Sequence, residues 1–85
     1  MNCVYILYSK TRDKYYIGST IDIERRLCDH NYGNTASTKG GRPWICVFTM
    51  ETSSLSEARA LERRLKSYKS RVVIEKMINE GYIRT

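Results

Sequence analysis

Two short runs of strand-forming residues, separated by a polar turn, constrain this chain more than any other feature. Cys3 to Tyr8 (CVYILY) is rich in β-branched and aromatic side chains, which favours a buried strand over a helix of so few residues. Ser9 to Lys14 is polar and reads as a turn. Tyr15 to Gly18 (YYIG) then reads as a second strand, folding back as a hairpin with a longer loop.

Beyond the hairpin, helix and strand signals alternate. Asp22 is placed to cap a helix from Ile23 to about His30, with Asn31 and Gly33 able to end it. The stretch NYGNTASTKGGRP is a loop, long for so small a chain, and loops of that length are often functional. Trp44 to Glu51 reads as a third strand. Ser54 and Glu57 form an S-x-x-E capping box, so a second helix starts at about Leu55, with an apolar stripe of Ala58, Leu61, Leu65 and Tyr68. Val72 to Glu80 reads as a third helix stopped by Gly81. The expected order is β-β-α-β-α-α. Because a sheet must bury at least one face, the fold class is α+β: a small three-stranded antiparallel sheet flanked by helices.

Length and charge narrow the function. At 85 residues the chain is expected to be one domain, spanning residues 1–85. No apolar run approaches the roughly 20 residues of a membrane helix, and no leader pattern precedes the first strand. A cytoplasmic protein is therefore expected, with no membrane partner. Cys3, Cys28 and Cys46 show no paired spacing, so they read as three small buried thiols and not as a disulfide or zinc framework. Fifteen basic residues against nine acidic ones give a net charge of +6. Arg59, Arg63, Arg64, Lys66, Lys69 and Arg71 cluster within that excess, with Glu62 the only acid among them. Such a stripe is the footprint of a phosphate-backbone binder, or else a solvated helix face.

Periodicity then singles out particular side chains. At about 100° per residue, Ile23, Leu27 and His30 share one arc of their helix, with Arg26 beside it and Arg25 opposite. Arg26 thus stands where helix meets sheet. Either an anion such as a phosphate meets it there, or its stem lies on apolar surface with its head in water. His30, the only histidine, is a packing or capping residue or a proton-transfer group. Glu62 lies at the margin of its helix's apolar stripe, as a salt-bridge hub or a metal ligand. Strand alternation puts Tyr5 with Leu7 on one face and Tyr16 with Gly18 on one face. A glycine at Gly18 also permits another group to approach closely.

Val4-Tyr5, then Tyr16-Ile17-Gly18-Ser19-Thr20, Ile23 to Leu27 and His30-Asn31 together resemble the GIY-YIG nuclease superfamily. Ser37-Thr38-Lys39, Arg42-Pro43-Trp44, Glu57-Ala58, Glu62 and Leu65-Lys66 continue the likeness. It is closest to the small stand-alone bacterial members, themselves similar to the N-terminal domain of the excinuclease C subunit. The resemblance implies a metal-dependent endonuclease that hydrolyses a DNA phosphodiester bond in repair or processing. It makes Tyr5, Tyr16, Arg26 and His30 catalytic and Glu62 the ligand of one divalent cation, Mg²⁺ or Mn²⁺. It implies structural duty for Gly18 and places Lys39, Arg42, Arg63 and Lys66 on the DNA backbone. A protein partner could supply specificity, since no recognition domain is appended. The alternative is a nucleic-acid-binding module of the same fold with little activity of its own. Three departures stand out: Cys3-Val4-Tyr5 in place of Gly-Ile-Tyr, Ser19 where the repair enzyme has lysine, and Ile74 near the asparagine of longer relatives.

Overall fold

Cys3–Ser9 forms the strand β1, and every position in it except Tyr8 is buried. The reason is its place in the sheet. The computed structural model, which describes residues 1–81, contains a three-stranded sheet of order β2-β1-β3, where β2 is Lys14–Thr20 and β3 is Trp44–Glu51. Both neighbours run antiparallel to β1. Covered on both faces, the central strand has no polar side to show, and this explains its unbroken apolar run.

The helices are α1 (Ile23–Tyr32), α2 (Leu55–Ser67) and α3 (Arg71–Glu80), giving the expected β-β-α-β-α-α order. On one face of the sheet Val4, Ile6 and Phe48 pack with Leu65 of α2 and with Ile74 and Met77 of α3. On the other, Tyr5, Leu7 and Trp44 pack with Tyr16 and with Ile23 and Leu27 of α1. Strand alternation assigns the residues of β1 and β2 to these faces correctly. In β3 it is broken. Ile6 pairs with Phe48 but Leu7 pairs with Cys46, so Val47 is an extra residue that lets Trp44 and Phe48, of equal parity, face opposite ways.

The hairpin turn is held by its own side chains and by α3. Tyr8 donates to Asp13 Oδ1 at 2.7 Å, and the Arg12 N–H donates to Ser9 Oγ at 3.2 Å. Asp13 sits at φ 52, a left-handed conformation that Asp tolerates better than most residues. Arg71, at the start of α3, grips both Asp13 carboxylate oxygens at 3.0 and 2.6 Å.

Several expectations need correction. Asn31 does not end α1; the helix continues to Tyr32 and stops at Gly33, at φ 81. Asn31 instead docks β3, accepting from Trp44 N at 2.6 Å and donating to Trp44 O at 3.0 Å. The capping box closes on one side only. Ser54 Oγ accepts from Glu57 N at 3.1 Å, but the Glu57 carboxylate accepts from Ser53 Oγ at 2.7 Å. Tyr68 falls outside the α2 stripe, at the exposed C-cap. Only Cys3 is a buried thiol; Cys28 and Cys46 are exposed, because they lie on the outer sides of α1 and β3. The long loop contains a short 3-10 turn, Lys39–Gly41. Among the described residues, no helix is long and apolar enough to cross a membrane. The last four residues of the expected 1–85 domain lie outside the described ones.

Candidate active site

Tyr5 pairs with Gly18 across β1 and β2, and its ring lies over the glycine. A Cβ at Gly18 would collide with the Tyr5 hydroxyl. The missing side chain therefore lets a buried tyrosine reach across β2 toward the free edge of the sheet. Gly18 is structural in this sense, and the group approaching it is a side chain of the same protein.

His30, fully buried on α1, takes up that hydroxyl. Its Nε2 lies 3.1 Å from Tyr5 Oη and its Nδ1 lies 2.8 Å from Thr38 Oγ1. The direction of these bonds is set by their neighbours. The Arg26 guanidinium lies beside the Tyr5 oxygen and can only donate, so the phenolic proton points to His30 Nε2. The Thr38 hydroxyl donates to Thr35 O at 3.3 Å, which leaves its oxygen to accept from His30 Nδ1–H. The result is a directed chain of donors: Tyr5 to His30, His30 to Thr38, Thr38 to the Thr35 carbonyl. Trp44 fixes the far end, donating from Nε1 to Thr38 O at 2.7 Å.

The charge states match this chain. Burial pushes the Tyr5 phenol up to about 12, against the pull of Arg26. Burial also lowers the pKa of His30; Arg26 adds to that, and Asp29 opposes it. A neutral imidazole thus faces a protonated phenol. Arg26 is half-buried and 3.9 Å from Asp29, while Arg25 is exposed, as the helical period requires. Tyr16 completes the face. Its ring meets His30 edge-on at 4.9 Å between centroids and lies 6.5 Å from Tyr5. Among the described residues its hydroxyl has no hydrogen-bond partner, which leaves it open to solvent or substrate.

Glu62 arrives from the other side. It is carried by α2, which packs on the opposite face of the sheet, and it meets the β2 edge through Ser19, whose hydroxyl donates to Glu62 Oε1 at 2.6 Å. Lys66 holds the second oxygen at 2.6 Å. Burial raises the Glu62 pKa, but Lys66, Ser19 and Arg59 outweigh it, so the carboxylate titrates below its ordinary range. Tyr5, Tyr16, Arg26 and His30 therefore form one group, and Glu62 borders it across the strand edge. Ser19, at the strand position where the repair enzyme has lysine, binds the carboxylate instead. Ile74 is in the core and offers no polar atom.

The donor set suits one kind of metal. Among the described residues, no three His, Cys, Asp or Glu side chains cluster as ligands. A lone ionised carboxylate fits Mg²⁺ or Mn²⁺, which accept one protein carboxylate and complete their shell with water and phosphate oxygens.

The expected backbone contacts are dispersed. Lys39 and Arg42 are exposed on the loop beside the end of α1, where Arg42 Nε donates to Lys39 O at 2.8 Å. Arg63 is exposed on α2, and Lys66 is tied to Glu62. Thr38 belongs to the family likeness but carries no role in it, because nothing in a loop's composition says which threonine turns inward.

The model of the GIY-YIG catalytic domain matches residues 1–77. The chain belongs to the GIY-YIG family. A UPF0213 protein of Staphylococcus haemolyticus is 38% identical over 78 residues, covering 89% of this chain and 94% of that one. The solution structure of a UPF0213 protein from Bacillus halodurans superposes with a TM-score of 0.58 at 34% identity, over 94% of this chain and 85% of that one. These matches place the chain with small GIY-YIG members of the same α+β fold. The structure-specific endonuclease subunit SLX1 of Phaeosphaeria nodorum is 44% identical over 54 residues, or 55% of this chain. That match spans only 15% of the fungal protein's length.

Proposed function

We propose that this chain, as a single nuclease domain, hydrolyses a phosphodiester bond in DNA. The observation that carries the reading is the donor chain that begins at Tyr5, at the sheet edge that Glu62 also borders. Tyr5 with a pKa of about 12 is a poor base alone at neutral pH. His30 changes that: as the attacking water gives a proton to Tyr5 oxygen, the phenolic proton passes to His30 Nε2. Tyr16, with its unengaged hydroxyl, orients the water. Arg26 stands ready to neutralise charge growing on the phosphate oxygens. Glu62 is the residue that would hold Mg²⁺ or Mn²⁺. Such an ion, when bound, supplies Lewis-acid polarisation of the phosphate. Lys39, Arg42 and Arg63 hold the backbone without reading sequence.

The fungal relative is named as a structure-specific endonuclease subunit. The word subunit in that name supports a protein partner that supplies specificity; a repair or processing role in the cytoplasm belongs to the same proposal. One observation favours the alternative, a binding module with little activity: both Glu62 oxygens are already engaged, by Ser19 and Lys66. Replacing Tyr5 by Phe separates the two readings, because only the hydroxyl is lost. Cleavage of plasmid DNA in Mg²⁺ should fall by about 100-fold or more while DNA binding persists. Equal cleavage by Tyr5→Phe places the proton path elsewhere, and a wild type that binds the plasmid without cutting it favours the binding module.

A further inference from the structure

Thr38 meets His30 from a loop that is held in place without help from His30. The Thr38 backbone N–H donates to Thr35 O at 3.1 Å, and its carbonyl accepts from Gly41 N at 3.1 Å and from Trp44 Nε1 at 2.7 Å. Gly41 lacks the Cβ that would strike the Trp44 indole, so the turn closes directly on that ring. From the hairpin, Arg12 Nε donates to Gly40 O at 3.1 Å and Thr11 Oγ1 donates to Arg42 O at 3.3 Å. The loop therefore presents the Thr38 hydroxyl on a fixed seat. Both Thr38 and His30 are buried, so the bond between them is shielded from solvent.

From this we infer that Thr38 is a positioning residue, which holds the His30 proton on Nδ1 and so keeps Nε2 free to accept the Tyr5 proton. Its part in cleavage rests on the nuclease reading above. The need for such a residue is chemical. In water a neutral histidine side chain favours the opposite tautomer, with its proton on Nε2. That form would set an N–H against the Tyr5 hydroxyl and leave no lone pair there to take the phenolic proton. It would also aim two donors, Nε2–H and the Arg26 guanidinium, at the one Tyr5 oxygen. An acceptor fixed at Nδ1 reverses the preference, because the bond made by one ring nitrogen sets the state of the other. Thr38 Oγ1, 2.8 Å away, is that acceptor, since its own proton is committed to Thr35 O. Turning the imidazole to the other tautomer would take that proton away from the carbonyl.

His30 is the only histidine, so nitrogen NMR of the untagged, isotopically labelled full chain reads a single imidazole. Spectra are recorded without DNA or metal at about pH 8, above the ordinary histidine pKa. The ring nitrogen that lacks a proton resonates far downfield, and Nε2 is recognised by its couplings to both ring carbon protons. The wild type should show the downfield signal at Nε2. Thr38→Val keeps the shape of the side chain, and Thr38→Ala removes the same hydroxyl with less crowding, so one stands if the other does not fold. Either should move the downfield signal to Nδ1, and Thr38→Ser should keep the wild-type pattern. A wild type with its proton on Nε2, or a Val or Ala variant that still holds it on Nδ1, overturns the assignment. Plasmid cleavage in Mg²⁺ is scored separately. It should fall by about tenfold or more in Thr38→Val and Thr38→Ala but not in Thr38→Ser. A tautomer that switches with no change in cleavage overturns the positioning role. A tautomer that switches in a protein whose wild type cuts no DNA upholds Thr38 as the residue that sets His30 and overturns the nuclease reading.

Discussion

His30 is buried, neutral and bonded at both ring nitrogens, and its environment holds its pKa below the ordinary value. The consequence for stability has a definite sign. The unfolded chain binds a proton on this residue below about pH 6.5, while the native protein resists it. Stability is therefore full above that pH and falls as pH drops toward the lowered native pKa. Urea unfolding at a series of pH values checks this, and a His30→Gln variant should lose that part of the dependence. DNA cleavage by His30→Gln should drop by about 100-fold or more. Lys66 supports a second expectation. It neutralises the carboxylate that a metal would need, so Lys66→Ala should tighten Mn²⁺ binding by about two- to fivefold in DNA-free protein. Free Mn²⁺ counted by electron paramagnetic resonance measures this, and unchanged affinity would show that Lys66 does not compete. Arg26 could be told from Arg25 in the sequence because a helix has a fixed period. Thr38 could not, because its hydroxyl meets His30 through the shape of an irregular loop.

Every strand and helix had a local signal, since strand composition, caps and stop glycines act over a few residues. Asp22 and Ser54 accept the expected backbone N–H at their helix starts, and Ser70, which the sequence reading does not single out, does the same for α3. The one-sided box at α2 gives a graded prediction. Ser54→Ala should cost about 1 kcal/mol, and Glu57→Ala less, because its carboxylate bonds Ser53 and not the Ser54 N–H. Chemical denaturation of the two variants orders them; equal losses would mean that the box closes in solution. The bulge at Val47 was not legible. Alternation fixes relative faces only while the ladder is regular, and one extra residue changes the face of Trp44 without changing the apolar pattern. Tyr68 misled for a related reason, since helical spacing continued past the point where α2 leaves the sheet.

At the scale of the molecule, the decisive fact is the order β2-β1-β3, which leaves β2 as a free edge. Local signals name strands but do not say which one lies in the middle. With β1 central, Tyr5 reaches over Gly18 from one face while Ser19 brings Glu62 to the same edge from the other. The candidate site therefore straddles an edge strand and does not fill a pocket on one face. The fold and the family were legible from residue patterns taken in order. The approach of Glu62 from the opposite face was not, because it depends on how α2 crosses the sheet. Mg²⁺-dependent cleavage of plasmid and branched DNA, wild type against Glu62→Gln, tests the whole account most directly. The variant keeps the size of the side chain and an acceptor for the Ser19 hydroxyl but lacks the negative charge. The wild type should cut, and Glu62→Gln should be slower by about 100-fold or more. A wild type that cuts neither DNA in Mg²⁺ or Mn²⁺, or a Glu62→Gln variant that cuts as fast, would contradict it.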